Sequence, residues 1–162
     1  MATKAQERQR FIRYFKAQKE KTDVNMHEVA EFAAANGWPL PKPKSPLDLL
    51  AHEFSQAARE EVRHDKSTGK PYRANHAYQQ PQGDTQLTLW VDIDDPSTTR
   101  KKMNKCLILR REQMVGDGVQ MTLDADHWNN IHPDEERIQM ELDFTDDVAW
   151  RINTPKAKGK GA

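Results

Sequence analysis

The chain has 162 residues, with 25 basic and 25 acidic side chains, and only 36% of its residues are hydrophobic. No apolar run approaches the roughly 18 residues of a membrane span, the N-terminus lacks the apolar stretch of a secretory signal, and a lone Cys106 excludes an internal disulfide. We therefore expect a polar cytoplasmic protein that does not bind a membrane.

The zero net charge hides a segregation of charge along the chain. Residues 1–115 carry 20 basic and 15 acidic side chains, whereas residues 116–153 carry two basic and ten acidic ones. The last residues, 154–162, add three lysines. A basic front part can bind a polyanion, and an acidic back part can bind a basic partner. Solvated surface without function is the alternative interpretation.

Three helices are predicted in the first third of the chain. An aromatic cluster in a helix-favouring background indicates a helix near 4–21. A second helix covers about 26–35, because Asn25 can cap its start and Asn-Gly ends it. Three prolines hold residues 38–44 extended. A third helix is predicted over 46–64, with Pro at its first position.

The third helix has two distinct faces. One side is apolar and is expected to face a core: Leu47, Leu50, Phe54, Ala57, Ala58 and Val62. Glu61 also falls on that side, which requires an Arg or Lys partner. The opposite side carries hydrogen-bond donors: His52, Gln56, Arg59, Arg63 and Lys66. Such a stripe suits a helix in the DNA major groove, where Arg and Gln read base edges; a solvated polar face is the alternative.

A β-hairpin is predicted after the third helix. Residues 72–78 and 87–93 alternate apolar and polar side chains, and residues 81–84 form a turn between them. Three helices followed by a two-stranded ribbon resemble the winged-helix variant of the helix-turn-helix over residues 8–94, at the level of element order. The resemblance implies that the third helix enters the major groove and that the hairpin, or wing, contacts the adjacent backbone.

The resemblance also implies further contacts with DNA outside the third helix. Lys70 and Arg73 lie in the predicted wing and its approach. Lys42 and Lys44 lie in the proline-rich connection, which is longer than the turn usual in that family. The three lysines and the basic first helix are expected to neutralise phosphates, while Gln56, Arg59 and Arg63 read bases.

A long helix is predicted over 97–130. Its expected dimer interface consists of Met103 and a stripe with a seven-residue period: Leu107, Met114, Met121 and Trp128. We expect this stripe to pack on a second copy of the chain. The alternatives are that it packs back on the preceding domain, or that the helix breaks at Gly116-Asp117-Gly118 and Val119–Leu123 is a strand.

The residues after the long helix are interpreted as an acidic arm and a disordered tail. Residues 138–144 alternate like a strand, and residues 148–152 follow a helix cap. Gln139, Leu142 and Phe144 resemble the Gln-x-x-Leu-x-Phe motif by which bacterial proteins dock on the replication sliding clamp. The expected organisation is a winged-helix-like domain (1–94), the long helix (95–131), a partner-binding arm (132–153) and a basic tail (154–162).

Candidate catalytic residues are few. A cluster of carboxylates and imidazoles could hold a divalent metal: Asp124, Asp126, His127, His132, Asp134 and Glu135. Asp92 and Asp94 share a strand face, as in some nucleases, but no Glu-x-Lys follows them. We expect neither a metal nor a cofactor, and a metal-dependent nuclease is the enzymatic alternative.

The sequence therefore predicts an α+β, mainly helical protein that binds double-stranded DNA without catalysis. It would act as a homodimeric transcriptional regulator or as the DNA-reading subunit of a larger assembly. The alternative is an adaptor that docks on a larger enzyme through residues 134–153.

Overall fold

The computed structural model describes residues 1–154, so the predicted basic tail lies outside the described residues except for Thr154. The protein is α+β and mainly helical, as predicted. The described chain forms two compact units, which meet in sequence between Glu53 and Phe54. The boundary between them falls inside the third helix. No helix within residues 1–154 combines the length and the hydropathy that crossing a bilayer requires.

The first unit begins with two helices that pack through aromatic rings. Helix α1 (Lys4–Lys19) starts with a capping box, and helix α2 (Met26–Ala35) starts where the Asn25 side chain accepts a hydrogen bond from the His27 backbone N–H. Phe15 of α1 is buried and meets Phe32 of α2, with ring centroids 5.4 Å apart. Both predicted helices are thus confirmed.

Helix α3 (Pro46–Glu60) is shorter than predicted, and its apolar side is exposed. Ser45 and Asp48 cap its start, where the Asp48 N–H donates to Ser45 Oγ over 3.1 Å. The predicted end at His64 is wrong, because the chain leaves the helix after Glu60 to form a strand. The predicted core face is also wrong: Leu47 is 78% exposed and Phe54 68%, and α3 has no buried residue.

Four strands follow in the second unit and form two antiparallel pairs. Strand β1 (Val62–His64) pairs with β2 (Pro71–Arg73). Strand β3 (Asn75–Gln82) pairs with β4 (Thr85–Asp92). The second pair is the predicted hairpin, with Gly83 in its turn at a left-handed φ of 58°. The first pair was missed by the sequence analysis.

Ala74 joins the two strand pairs and explains why the predicted strand 72–78 is divided. Its N–H donates to the Glu61 carbonyl over 3.0 Å, on the side of β1. Its carbonyl accepts from the Ile93 N–H over 2.9 Å, on the side of β4. The residue is 0% exposed. The backbone of Ala74 is therefore bonded to both pairs, and the residue is fully buried between them.

Helix α4 (Arg100–Ile131) is one continuous helix, as predicted, and Gly116 and Gly118 lie within it. It starts three residues later than expected. The Asp95 carboxylate accepts a hydrogen bond from the Ser97 N–H over 2.8 Å, which forms a turn before the helix. Thr99 is then the residue that caps α4, through a bond from the Lys102 N–H. Cys106 of α4 is buried, and α4 packs against β3.

The arm after α4 is extended but forms no strand, which corrects the strand alternation predicted for 138–144. Asn129 is buried, and its side chain bonds both the N–H and the carbonyl of Ile138, at 2.8 and 2.9 Å. Further along the arm, Leu142 lies near Gly118. The arm therefore returns along α4 in the opposite direction. The last helix, α5 (Thr145–Asn153), follows it.

The winged-helix arrangement is not confirmed. The order of three helices before a hairpin is present, but α1 and α2 belong to the first unit, whereas both strand pairs belong to the second. The elements that the resemblance brings together in one domain are thus divided between two units.

Replacing Gly116 by Ala is expected to raise the free energy of unfolding by about 1 kcal/mol, because Gly in a helix interior costs about that much relative to Ala. A Cβ at this position meets nothing within 4 Å. Chemical denaturation followed by circular dichroism measures the change. The matched control is Gly83→Ala, where φ is positive and the same substitution should destabilise. Loss of stability in the Gly116 variant would contradict the exposed helical position.

Candidate nucleic-acid interface

Arg63 lies on β1 rather than on a helix, and three carboxylates occupy its guanidinium. Nη1 and Nη2 each donate to Asp92 over 2.8 Å, in a bidentate pair. Nη1 also donates to Asp94 over 2.8 Å, while Nε and Nη2 donate to Glu61 over 3.1 and 2.8 Å. Charge-assisted and bidentate bonds are the strongest that Arg makes. A side chain held in this way is not free to read a base.

The pairing shifts the pKa values of the carboxyls that take part. Hydrogen bonds from Arg63 hold the pKa of Asp92, Asp94 and Glu61 below their ordinary range, and the same carboxylates raise the pKa of Arg63. The Tyr72 hydroxyl also donates to Asp94, over 2.8 Å, which raises the pKa of Tyr72. The basic partner that Glu61 requires is therefore Arg63.

A separate cavity of about 290 Å³ in the second unit is lined by three arginines. We call it the arginine cleft; its lining residues are Arg59, Arg73, Asn75, His76, Ala77, Gln79, Thr88, Trp90, Leu109, Arg110 and Gln113. Arg59 comes from the last turn of α3, Arg73 from the end of β2, and Arg110 from α4. Because none of the lining residues is acidic, the cleft presents three positive charges together.

The three cleft arginines differ from Arg63 in what they contact. Within residues 1–154, none of the three forms an ion pair with a carboxylate. Arg59 lies over the Trp90 ring, 5.5 Å from its centroid, which orients the guanidinium without neutralising it. Their donors are thus available to an anion.

Buried and paired polar side chains shape the wall of the cleft. His76 is buried, and its Nε2 lies 2.9 Å from the Arg73 carbonyl, which fixes the backbone that carries Arg73. Gln79 donates to the Thr88 hydroxyl across the β3–β4 pair over 3.0 Å. The wall is therefore ordered by protein contacts, while the arginines remain unpaired.

The other residues predicted to contact DNA are dispersed. Lys42 and Lys44 are exposed in the proline-rich loop of the first unit. His52 and Gln56 are exposed on α3. The remaining two lie in or beside the loop between β1 and β2: Lys66, and Lys70, whose Nζ donates to Asn153 Oδ1 over 3.1 Å.

Of the nine predicted DNA contacts, Arg59 and Arg73 are brought together in the cleft. Arg110 completes the group and was missed by the sequence analysis. Its position in the basic first half of the long helix was visible, but nothing local indicated that this part of α4 lies beside β3.

The residues of the clamp-like motif lie against α4. Leu142 and Phe144 line an apolar cavity of about 470 Å³ together with Met114 and Val119. Gln139 is exposed. Leu142 and Phe144 remain 46% and 42% exposed, so α4 covers them only in part.

The carboxylates considered for catalysis have other contacts or no common centre. Asp92 and Asp94, the strand pair considered for a nuclease, bind Arg63. Among residues 1–154, no three His, Cys, Asp or Glu side chains are placed to share a metal ion.

No protein-family model matches the chain, and no curated protein and no solved structure matches it either. The functional proposal below therefore depends on the geometry of the arginine cleft.

Replacing Arg63 by Met should lower the free energy of unfolding at neutral pH. It should also reduce the loss of that free energy as the pH falls. The paired carboxyls have lowered pKa values in the folded protein, so their stabilisation is present above the unfolded-state value of about 4 and is lost as the pH falls through the folded values. Urea unfolding at pH 7, 5 and 3 measures both effects. Arg137→Met is the control, because Arg137 is exposed and forms no ion pair within residues 1–154. Curves for the two variants that run parallel would argue against the network.

Proposed function

We propose that this protein binds double-stranded DNA and that the arginine cleft is a contact site for its phosphates. The observation that supports the proposal is the contrast between four arginines of one unit. Arg63 is saturated by three carboxylates, whereas Arg59, Arg73 and Arg110 share a cleft without an acidic residue. Clustered, unpaired guanidinium groups are the usual protein ligands of phosphate.

The size and rigidity of the cleft favour a contact with the backbone over one with a large ligand. A volume of about 290 Å³ is at the lower end of small-molecule sites. Phosphate oxygens offer charged acceptors at its mouth, and contacts of this kind position a protein on DNA without reading its sequence. The cleft thus accounts for affinity and not for sequence discrimination.

Base reading is proposed for the exposed end of α3. Gln56 lies one turn before Arg59 on the same helix, and its amide can pair with an adenine edge. Arg63 is no longer a base-reading candidate, because its donors are used by Glu61, Asp92 and Asp94. The proposal keeps the predicted function but replaces part of its recognition surface.

Changing Arg59 and Arg73 together to Ala is expected to weaken binding to all duplexes and to reduce the salt dependence. The slope of log K against log salt is negative, and each phosphate contact that is lost should make it less steep by about 0.9. Fluorescence anisotropy with a labelled mixed-sequence duplex, at several salt concentrations, measures both quantities. Because Arg→Ala also changes net charge, Arg137→Ala serves as the control outside the cleft.

The two variants separate the proposal from general electrostatic attraction. If the double variant and the single control lose the same affinity per charge removed, the arginine cleft is not a DNA contact. Wild-type protein that shows no salt-sensitive binding to any duplex would overturn the function itself.

A second candidate, the protein adaptor, is favoured by the exposed apolar residues of α5. Val148, Trp150 and Ile152 are each at least half exposed, and neighbouring exposed apolar side chains are typical of protein-binding surfaces. In this alternative, the helix docks on a larger enzyme. Trp150→Ala should then abolish recovery of one stoichiometric partner by affinity purification from the native host, while duplex binding is retained.

A further inference from the structure

Helix α4 carries its charges against its own dipole. Its first twelve residues, 100–111, contain six basic side chains and no acid, whereas residues 112–131 contain four acids and no Lys or Arg. A helix dipole is stabilised by the opposite arrangement, with acids at the N-terminal end and bases at the C-terminal end. An antiparallel neighbour of the same sequence would place each basic half beside an acidic half.

The apolar stripe of the same helix is exposed. Leu107, Met114 and Trp128 are between 43% and 58% exposed, and Met121 is partly exposed. The arm lies beside this stripe, because Met114 lines an apolar cavity with Leu142 and Phe144. Trp128 stacks on His132, with ring centroids 3.9 Å apart. These contacts leave about half of the surface of Leu107, Met114 and Trp128 exposed, and burial of that surface would stabilise the protein.

The spacing of the stripe is symmetric about the middle of α4. The two central methionines are equally far from a point between Asp117 and Gly118, and so are Leu107 and Trp128. A two-fold axis at that point would place Met114 opposite the partner's Met121, and Leu107 opposite the partner's Trp128. The same axis would bring the basic start of α4 beside the partner's acidic end.

We propose that two copies of this chain pair through α4 in antiparallel orientation, about a two-fold axis near Asp117 and Gly118. A second copy of α4 is the partner of the exposed stripe. When two such helices lie antiparallel, their opposite charges and their apolar side chains face each other. Closed two-fold pairing buries the same surface of both copies. The pairing does not rest on the proposed DNA contact, although Arg110 lies both in the basic half of α4 and in the arginine cleft.

Spin-label distances test the orientation directly. At 1.5 Å per residue, residue 101 lies about 25 Å from the axis, so labels on Lys101→Cys should be roughly 50 Å apart. Labels on Asp117→Cys should be separated by little more than the width of a helix pair, with axes about 8–10 Å apart. Both positions are exposed. The buried Cys106 is replaced by Ala in both variants, and circular dichroism checks their folding.

The pair of distances decides between the possible assemblies. A long distance at residue 101 with a short one at residue 117 supports the proposal. Short distances at both positions indicate parallel helices and overturn it, as does any other pattern. Absence of dipolar coupling at tens of micromolar would also overturn it, because the protein would then be monomeric.

Disrupting the stripe provides a second measurement that does not depend on labels. Met114→Asp should reduce the mass determined by light scattering from dimer to monomer while the helical circular dichroism signal is retained. Met26→Asp is the control, because Met26 on α2 is exposed to a similar extent, 56% against 58%. A dimer that survives Met114→Asp, or dissociates equally in both variants, would contradict pairing through α4.

Discussion

The second unit depends on the guanidinium of Arg63, which joins parts of the chain that are distant in sequence. Its five bonds reach Glu61 at the end of α3, Asp92 at the end of β4, and Asp94 in the turn before α4. The group is one-third exposed, so its net contribution to stability is modest. Its structural effect is to fix geometry: β1 and the end of β4 are held on either side of Ala74, whose backbone bonds both strand pairs.

This network also determines which arginines are free. Glu61, Asp92 and Asp94 are all engaged with Arg63. Asn75 holds Glu61 from the other side, through a 2.8 Å bond to its second carboxylate oxygen. Because these carboxylates have a partner, Arg59 and Arg73 are left without one although they lie on adjacent elements. Saturation of one arginine therefore preserves the positive charge of the cleft.

Elements with a local signal could be predicted from the sequence, and those created by distant contacts could not. Asn25 and Ser45 act through hydrogen bonds within three residues, so the helix starts that they determine are visible in the sequence. Gly83 likewise marks its own turn. In contrast, β1 forms because it pairs with β2. Arg63 was assigned to a helical stripe because its carboxylate partners, Asp92 and Asp94, lie about 30 residues away in sequence. The apolar side of α3 was predicted to face a core but is exposed, because an amphipathic pattern identifies an apolar face without specifying what packs on it.

Arg110 connects the arginine cleft with the proposed pairing of α4, so pairing would also fix the positions of the two clefts relative to each other. Arg110 belongs to the cleft but is carried by the helix that would form the two-fold interface. Two clefts mounted on one paired helix would be held at a fixed distance, so the second phosphate contact would form at high effective concentration. Each cleft alone offers three charges, and that number supports only weak binding at physiological salt. Pairing would therefore convert two weak contacts into one strong contact without any new interaction with DNA.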